Sequence, residues 1–294
     1  MSTLYVSDLD GTLLNTNTEL SEKSKEIINT LVQQGVKFTY ATARSFSSAS
    51  KVIQGLNLLI PVITNNGAFY IEPTNGEIIY STSFSYKQIK YISTIFIENK
   101  TYPLVYSLLE CEERVSWLEG KENDGMLNYL KGRTGEKRLK CVTKEEELYL
   151  GSIYYFTAIG EENELEELKG YFDDKSQFVC TLQRELYGDG EYWLEIMPHN
   201  ATKAMGVKRL KEITGCDRVI CFGDAINDIS MFTIADEAYA VADANLQLKQ
   251  ISTGIIGSNN DDGVALWLLE HVNALSVERK TARQIAPASS ISLI

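Results

Sequence analysis

The chain has 294 residues, 44% of them hydrophobic and 23% charged, with a formal net charge of −12. This composition excludes global disorder, and the length favours a core carrying an inserted second unit over one single core. The acidic balance argues against a nucleic-acid partner, whose phosphates need clustered cations, because only the modest "KGRTGEKRLK" at 131–140 is basic.

The five cysteines, Cys111, Cys141, Cys180, Cys216 and Cys221, lack the paired spacing of a zinc site and read as reduced thiols. No basic start leads into an apolar signal core, and no apolar run reaches membrane-spanning length. The expectation is a soluble cytoplasmic protein with neither a membrane nor a nucleic acid as partner.

In chain order, "TLYVS" reads as a short apolar strand. "SEKSKEIINTLVQQG" follows as a helix, with Ile27, Ile28, Leu31 and Val32 at helical spacing, Ser21 as its cap and Gly35 as its stop. "VKFTYAT" is a second strand, "SFSSASKVIQGLN" a helix and "LIPVITNNG" a third strand. The alternation then breaks at "AFYIEPTNGEIIYSTSF", two β-rich runs about an Asn-Gly turn.

Beyond Ser85, helices "YKQIKYISTIFIENK" and "EENELEELKGYFDD" are interleaved with strands such as "YPLVYSLLE", "SIYYFTAIG", "FVCTLQREL" and "EYWLEIM". After Pro198 the alternation returns: helix "ATKAMGVKRLKEITG", strand "RVICFGD", helix "NDISMFTIA", strand "AYAVA", helix "NLQLKQI" and helix "DGVALWLLEHV". Neither flank has enough strands for a sheet of its own. The pattern therefore predicts a Rossmann-like α/β core, a parallel sheet with helices on both faces, built from 1–84 and 197–274. An α+β cap domain is expected over 85–196, and residues 275–294 form a polar, small-residue tail without a readable role.

Ligands of open parallel sheets bind beyond the carboxyl ends of the strands. Three predicted strands end in polar residues: "YVSDLDGT" in Asp8 and Asp10, "FTYATAR" in Thr42 and Arg44, and "VICFGDAIND" in Asp224, Asn227 and Asp228. If these strands are neighbours, four carboxylates converge, and only a cation among them relieves the repulsion. Oxygen-only ligands suit a hard divalent ion, and Mg²⁺ shared with a substrate phosphate fits best. One aspartate can then attack phosphorus while the other, two residues on, protonates the leaving alkoxide and activates water. Gly11 permits the sharp turn between them and the following helix-bound chain.

"DLDGTLL", "ATAR", the lysine of "NATKAMGVKRL" and "GDAINDISM" resemble the four ordered motifs of the haloacid dehalogenase superfamily, and the large insert between the second and third resembles the cap of its Cof-type sugar-phosphatase-like branch. The resemblance covers nearly all of the chain before the tail. It implies a Mg²⁺-dependent phosphatase of small phosphorylated metabolites, sugar phosphates first, working through an aspartyl-phosphate. Asp8 would be nucleophile and metal ligand; Asp10 would be general acid/base and give its carbonyl to the metal; Asp224 would complete the protein ligands.

Thr42, the amides of Ala43 and Leu9, Lys203 and Asn227 would hold phosphate, and Asp228 would orient Lys203 or a metal-bound water. Two rivals keep the same residues: a phosphotransferase or mutase passing the phosphoryl group to a second hydroxyl, and a non-catalytic phospho-ligand sensor. Ala43 departs from the branch's usual "ATGR" and adds a methyl group where backbone approaches phosphate, harmless only if its φ is negative.

Other residues keep two readings. Arg44 either binds substrate or pairs with an acidic neighbour, and Asp228 could serve only the first turn of its helix. Asn65 and Asn66 either line the cleft or make the turn before the hairpin. His199, near the expected return from cap to core, either touches substrate or is structural or solvated. The cap aromatics Tyr154, Tyr155, Phe156, Tyr187, Tyr192 and Trp193 read as packing before they read as a stacking surface.

Overall fold

The computed structural model describes residues 2–110, 112–184 and 191–272. Cys111, Tyr187 and the tail 275–294 lie outside the described residues.

The chain opens with β1 (Thr3–Ser7), α1 (Glu22–Gln33), β2 (Lys37–Tyr40), α2 (Phe46–Val52) and β3 (Val62–Thr64). Ser21 caps α1 as expected, its hydroxyl accepting from the Ser24 amide at 3.0 Å, and Gly35 leaves the helix with φ 91°. The inward stripe of Ile28, Leu31 and Val32 is buried. A hairpin of β4 (Phe69–Ile71) and β5 (Ile78–Ser81) turns about Asn75 and Gly76, where Asn75 Oδ1 accepts from the Glu77 amide and Gly76 has φ 75°.

Next come α3 (Tyr86–Glu98), started by a Ser85/Gln88 capping box, then β6 (Leu104–Leu109), β7 (Glu112–Leu118), α4 (Asp124–Lys131), β8 (Leu139–Val142) and α5 (Glu145–Leu148). They are followed by β9 (Ser152–Gly160), α6 (Glu162–Gly170), β10 (Phe178–Arg184) and β11 (Tyr192–Pro198). The last stretch runs through α7 (Lys203–Thr214), β12 (Arg218–Gly223), α8 (Ile229–Ile234), β13 (Glu237–Ala240), α9 (Leu246–Ile251) and β14 (Gly254–Ile255), and residues 263–272 are helical.

Two compact units divide the chain: Met1–Asn65, Ile71–Glu77 and Val207–Ile294 form the first, and Asn66–Tyr70 and Ile78–Gly206 the second. In the first, the strand order is β14-β13-β12-β1-β2 and every pairing is parallel. A parallel bridge between Ala41 and Ile63 sets β3 beyond β2. From β1 the chain therefore works outward through β2 to β3 and returns on the opposite side at β12. The order reverses between β1 and β12, where open parallel sheets leave a crevice at their carboxyl ends. The expected α/β core, a parallel sheet flanked by helices with an inserted mixed-sheet region, is present.

The second unit holds a six-stranded mixed sheet in the order β10-β11-β9-β6-β7-β8, antiparallel except at β7–β8. Its core is aromatic: Phe84, Phe96, Phe156, Phe172 and Phe178 pack with Leu194 and Ile196 between sheet and helices. Burying each such ring contributes roughly 1.5–3 kcal/mol, which makes this cluster the unit's main source of stability. Tyr154 and Phe156 are core residues, Tyr154 meeting Phe69 edge-on with ring centroids 4.5 Å apart. Among the described residues, no helix is long and apolar enough to cross a membrane.

Candidate active site

β1 and β12 lie side by side with Ser7 opposite Phe222, so both strands end at one level. The Asp8 amide donates to the Phe222 carbonyl at 2.9 Å, which extends the ladder one residue and leaves the Asp8 side chain just past it. Asp224 is the matching residue after β12, and Asp228 follows on a short 3₁₀ turn over Ile226–Asp228. One carboxylate oxygen from each of Asp8, Asp224 and Asp228 lies within 4.8 Å of the others. Sequence positions more than two hundred residues apart are thus joined by strand pairing alone.

Each carboxylate has a local reason for its place. After Asp8 the backbone passes through Asp10 (φ −71°, ψ 126°) and Gly11 (φ 74°, ψ −4°), the two central conformations of a type II turn. That turn needs glycine at its second centre. Space demands it too, because a Cβ on Gly11 would stand 2.4 Å from Asp224 Oδ2. Thr12, next in the chain, donates its hydroxyl to Asp224 Oδ1 at 2.9 Å and fixes that carboxylate. Asp228 is fully buried, and its Oδ2 accepts from the amides of Asp224 (3.0 Å) and Ala225 (3.1 Å). One of its roles is therefore to hold the loop that presents Asp224, beyond any effect on its helix.

Asp10 is not one of the three clustered carboxylates. Its oxygens take two bonds from Arg44, Nε to Oδ2 at 2.7 Å and Nη2 to Oδ1 at 2.5 Å. Of the two readings for Arg44, the acidic neighbour is the one seen. The hydrogen bond to Asp10, opposed by burial and helped by the charges of Asp10 and Asp8, raises the guanidinium pKa above its ordinary value.

Thr42 is buried after β2, its amide donating to the Ile63 carbonyl at 3.0 Å. Its Oγ1 accepts from the Arg44 amide at 3.1 Å, so the hydroxyl proton is directed elsewhere and can be donated to a ligand. Ala43 is exposed and is not among the residues with positive φ, so its methyl group costs no left-handed strain. Leu9 is buried by its side chain, and Asn227 is exposed on the 3₁₀ turn.

Lys203 belongs to the second unit, where it opens α7 and, at 2% exposed, is buried rather than solvated. His199, in the same unit, is exposed. Asn65 has φ 50°, and its buried Oδ1 has no hydrogen-bond partner among the described residues. Thr12 and Ser48, the latter accepting from Arg44 Nη1 at 3.2 Å, are supporting residues that motif reading passed over. Thr12 had a signal, its place directly after Asp10-Gly11; Ser48 had none.

Three carboxylates this close, supported by main-chain amides and a hydroxyl, offer oxygen donors only, the set that suits a hard divalent cation. The Gly11 approach adds to the fit: the turn is packed against Asp224 so tightly that the carboxylate has one place to lie.

The comparisons agree with this geometry. Residues 5–268 match the family model described as haloacid dehalogenase-like hydrolase. Two proteins of Bacillus subtilis (strain 168), the 5-amino-6-(5-phospho-D-ribitylamino)uracil phosphatases YwtE and YitU, are each 26% identical to the chain over 277 residues. The alignments cover 89% and 91% of this chain and 95% and 97% of those proteins. Among solved structures, TM0651 from Thermotoga maritima superposes with a TM-score of 0.72 at 25% identity, covering 92% of this chain and 97% of that one. BT1666 from Bacteroides thetaiotaomicron, a phosphatase of the same superfamily, gives 0.73 at 18% identity, covering 91% and 94%. The chain belongs to the haloacid dehalogenase-like hydrolases, among relatives of the Cof-type phosphatases, and is a phosphoric monoester hydrolase.

Proposed function

We propose that the chain is a Mg²⁺-dependent phosphatase of small phosphorylated metabolites, with sugar and polyol phosphates the first class to try, and that it works through a phosphoryl group carried on Asp8. The observation that carries this reading is the convergence of Asp8, Asp224 and Asp228 within 4.8 Å at the β1/β12 crevice. The names of YwtE and YitU support the substrate class, since each is called a phosphatase of a ribityl phosphate joined to a uracil.

Asp8, Asp224 and the Asp10 carbonyl would hold the metal. When bound, Mg²⁺ supplies the positive charge that lets an anionic carboxylate meet an anionic phosphoryl group. The rest falls to the chain. An Asp8 oxygen attacks phosphorus as the ester oxygen leaves with a proton from Asp10; water, giving its proton back to Asp10, then releases phosphate and restores Asp8. The free hydroxyl proton of Thr42 and the amides of Leu9 and Ala43 would take up the negative charge that spreads over the phosphoryl oxygens. The family pattern adds Asn227 to the phosphate ligands. Asp228 keeps Asp224 in position through the two amides that it binds.

The test is a panel of phosphomonoesters, including hexose phosphates and phosphorylated ribitylaminouracil, with phosphate release and isomer formation measured with magnesium and with EDTA. The expected result is magnesium-dependent phosphate release from a small sugar or polyol ester. Isomer formation without phosphate release would make the chain a mutase, and a stable phosphoprotein without turnover would make it a sensor.

A further inference from the structure

The Asp10 side chain hangs from a turn whose backbone is fixed by Gly11, yet both hydrogen bonds to its carboxylate come from Arg44, through Nε and Nη2 in a two-bond fork. Arg44 is in turn held at three further points. Its amide donates to Thr42 Oγ1 at 3.1 Å, its carbonyl accepts from the Asn65 amide at 2.9 Å, and Nη1 donates to Ser48 Oγ at 3.2 Å on the first turn of α2. The guanidinium therefore reaches Asp10 from a fixed frame. Fold stability does not account for the pair: the Asp10 side chain is 45% exposed and that of Arg44 22%, a setting in which an ion pair is worth about 0–1 kcal/mol.

We propose that Arg44 is a positioning residue for proton transfer, holding the Asp10 carboxyl in the one orientation from which it serves the leaving oxygen and the attacking water. The proposal rests on the aspartyl-phosphate reading. A carboxyl oxygen that carries a proton cannot also accept from a guanidinium N–H in the same direction, so protonated Asp10 keeps one bond to Arg44 and the grip passes from one bond to two in the first half-reaction. There the proton goes from Asp10 to the ester oxygen as that oxygen leaves phosphorus and Asp8 bonds to it. In the second half a water proton returns to Asp10 as the water oxygen bonds to phosphorus and the bond from Asp8 to phosphorus breaks, and the grip returns to one bond. Lysine, a point donor, cannot reproduce the fork.

The test compares single-turnover release of an alkyl alcohol from its phosphate ester with release of p-nitrophenolate, a leaving group that needs no proton, in wild type, Arg44→Ala and Arg44→Lys. Arg44→Ala should slow alcohol release by about 10²-fold, the lower end of what general acid catalysis supplies, and p-nitrophenolate release by less than about tenfold. Added guanidinium ion should restore part of the alcohol rate. Arg44→Lys should show the same selectivity to a smaller degree, and it carries the test if thermal unfolding shows that the alanine variant is not folded. Equal losses on both esters, a loss confined to KM, or no guanidinium rescue would overturn the proposal. Failure of the underlying reading looks different: no phosphoryl group on Asp8 in the wild type, whatever the Arg44 variants do.

Discussion

The five-stranded parallel sheet and the six-stranded mixed sheet hold polar side chains in different ways. Past the strand ends of the parallel sheet, where the ladder stops, the main chain or a neighbouring hydroxyl holds the clustered carboxylates: Asp228 by two amides, Asp224 by Thr12. In the mixed sheet of the second unit polar side chains along the strands bond to other side chains, Tyr155 on β9 to Glu195 on β11 and the Tyr106 hydroxyl on β6 to that of Tyr129 on α4 at 2.9 Å. Parallel strands all finish at the same edge, so a sheet ordered this way collects distant segments at one spot. Antiparallel neighbours finish at opposite edges and collect nothing, and their unit is held by its ring cluster instead.

That contrast predicts a division of labour: chemistry fails first in one region and stability in the other. The largest effect should be Asp8→Asn, which removes the nucleophile and should cut phosphate release by on the order of 10⁴-fold or more while leaving the unfolding midpoint close to wild type. Near-normal turnover in that variant would assign the attack to another group.

Phe156→Ala should do the reverse. The ring is fully buried against Phe84 and Phe96, at centroid distances of 5.4 and 6.1 Å, and its loss should cost about 3–5 kcal/mol in chemical denaturation. Magnesium affinity of the folded protein should be unchanged; a parallel fall in affinity would break the comparison. Thr12→Val sharpens it with the smallest change, since only the hydroxyl that fixes Asp224 is lost. Calorimetry should find magnesium bound about 10–100-fold more weakly, with little change in stability.

Much of the catalytic core was legible because its signals are local. Hydrophobic spacing in 22–33, the cap at Ser21 and the turn at Asn75-Gly76 depend on neighbours in the chain, and the polar strand ends at Asp8 and Asp224 stand out against apolar runs. What was not legible depends on partners far away or on a choice among rotamers. The place of Thr12 after Asp10-Gly11 was visible, but its bond to Asp224 across 212 positions was not, since no periodicity announces it. Whether Arg44 would face substrate or Asp10 is a side-chain orientation, not a pattern. The φ of Ala43 likewise follows from how the loop after β2 is tied to Ile63 and Thr42. In the second unit, β7 and β8 take their pairing, including the parallel contact between them, from the sheet they join.

The most direct measurement is acid quenching during turnover of a good substrate, followed by peptide mapping for a covalent phosphoryl group. With magnesium present, the group should be found on Asp8, and it should be absent with EDTA or in Asp8→Asn. An unmodified Asp8 throughout turnover, or a phosphoryl group on a different residue, would contradict the account.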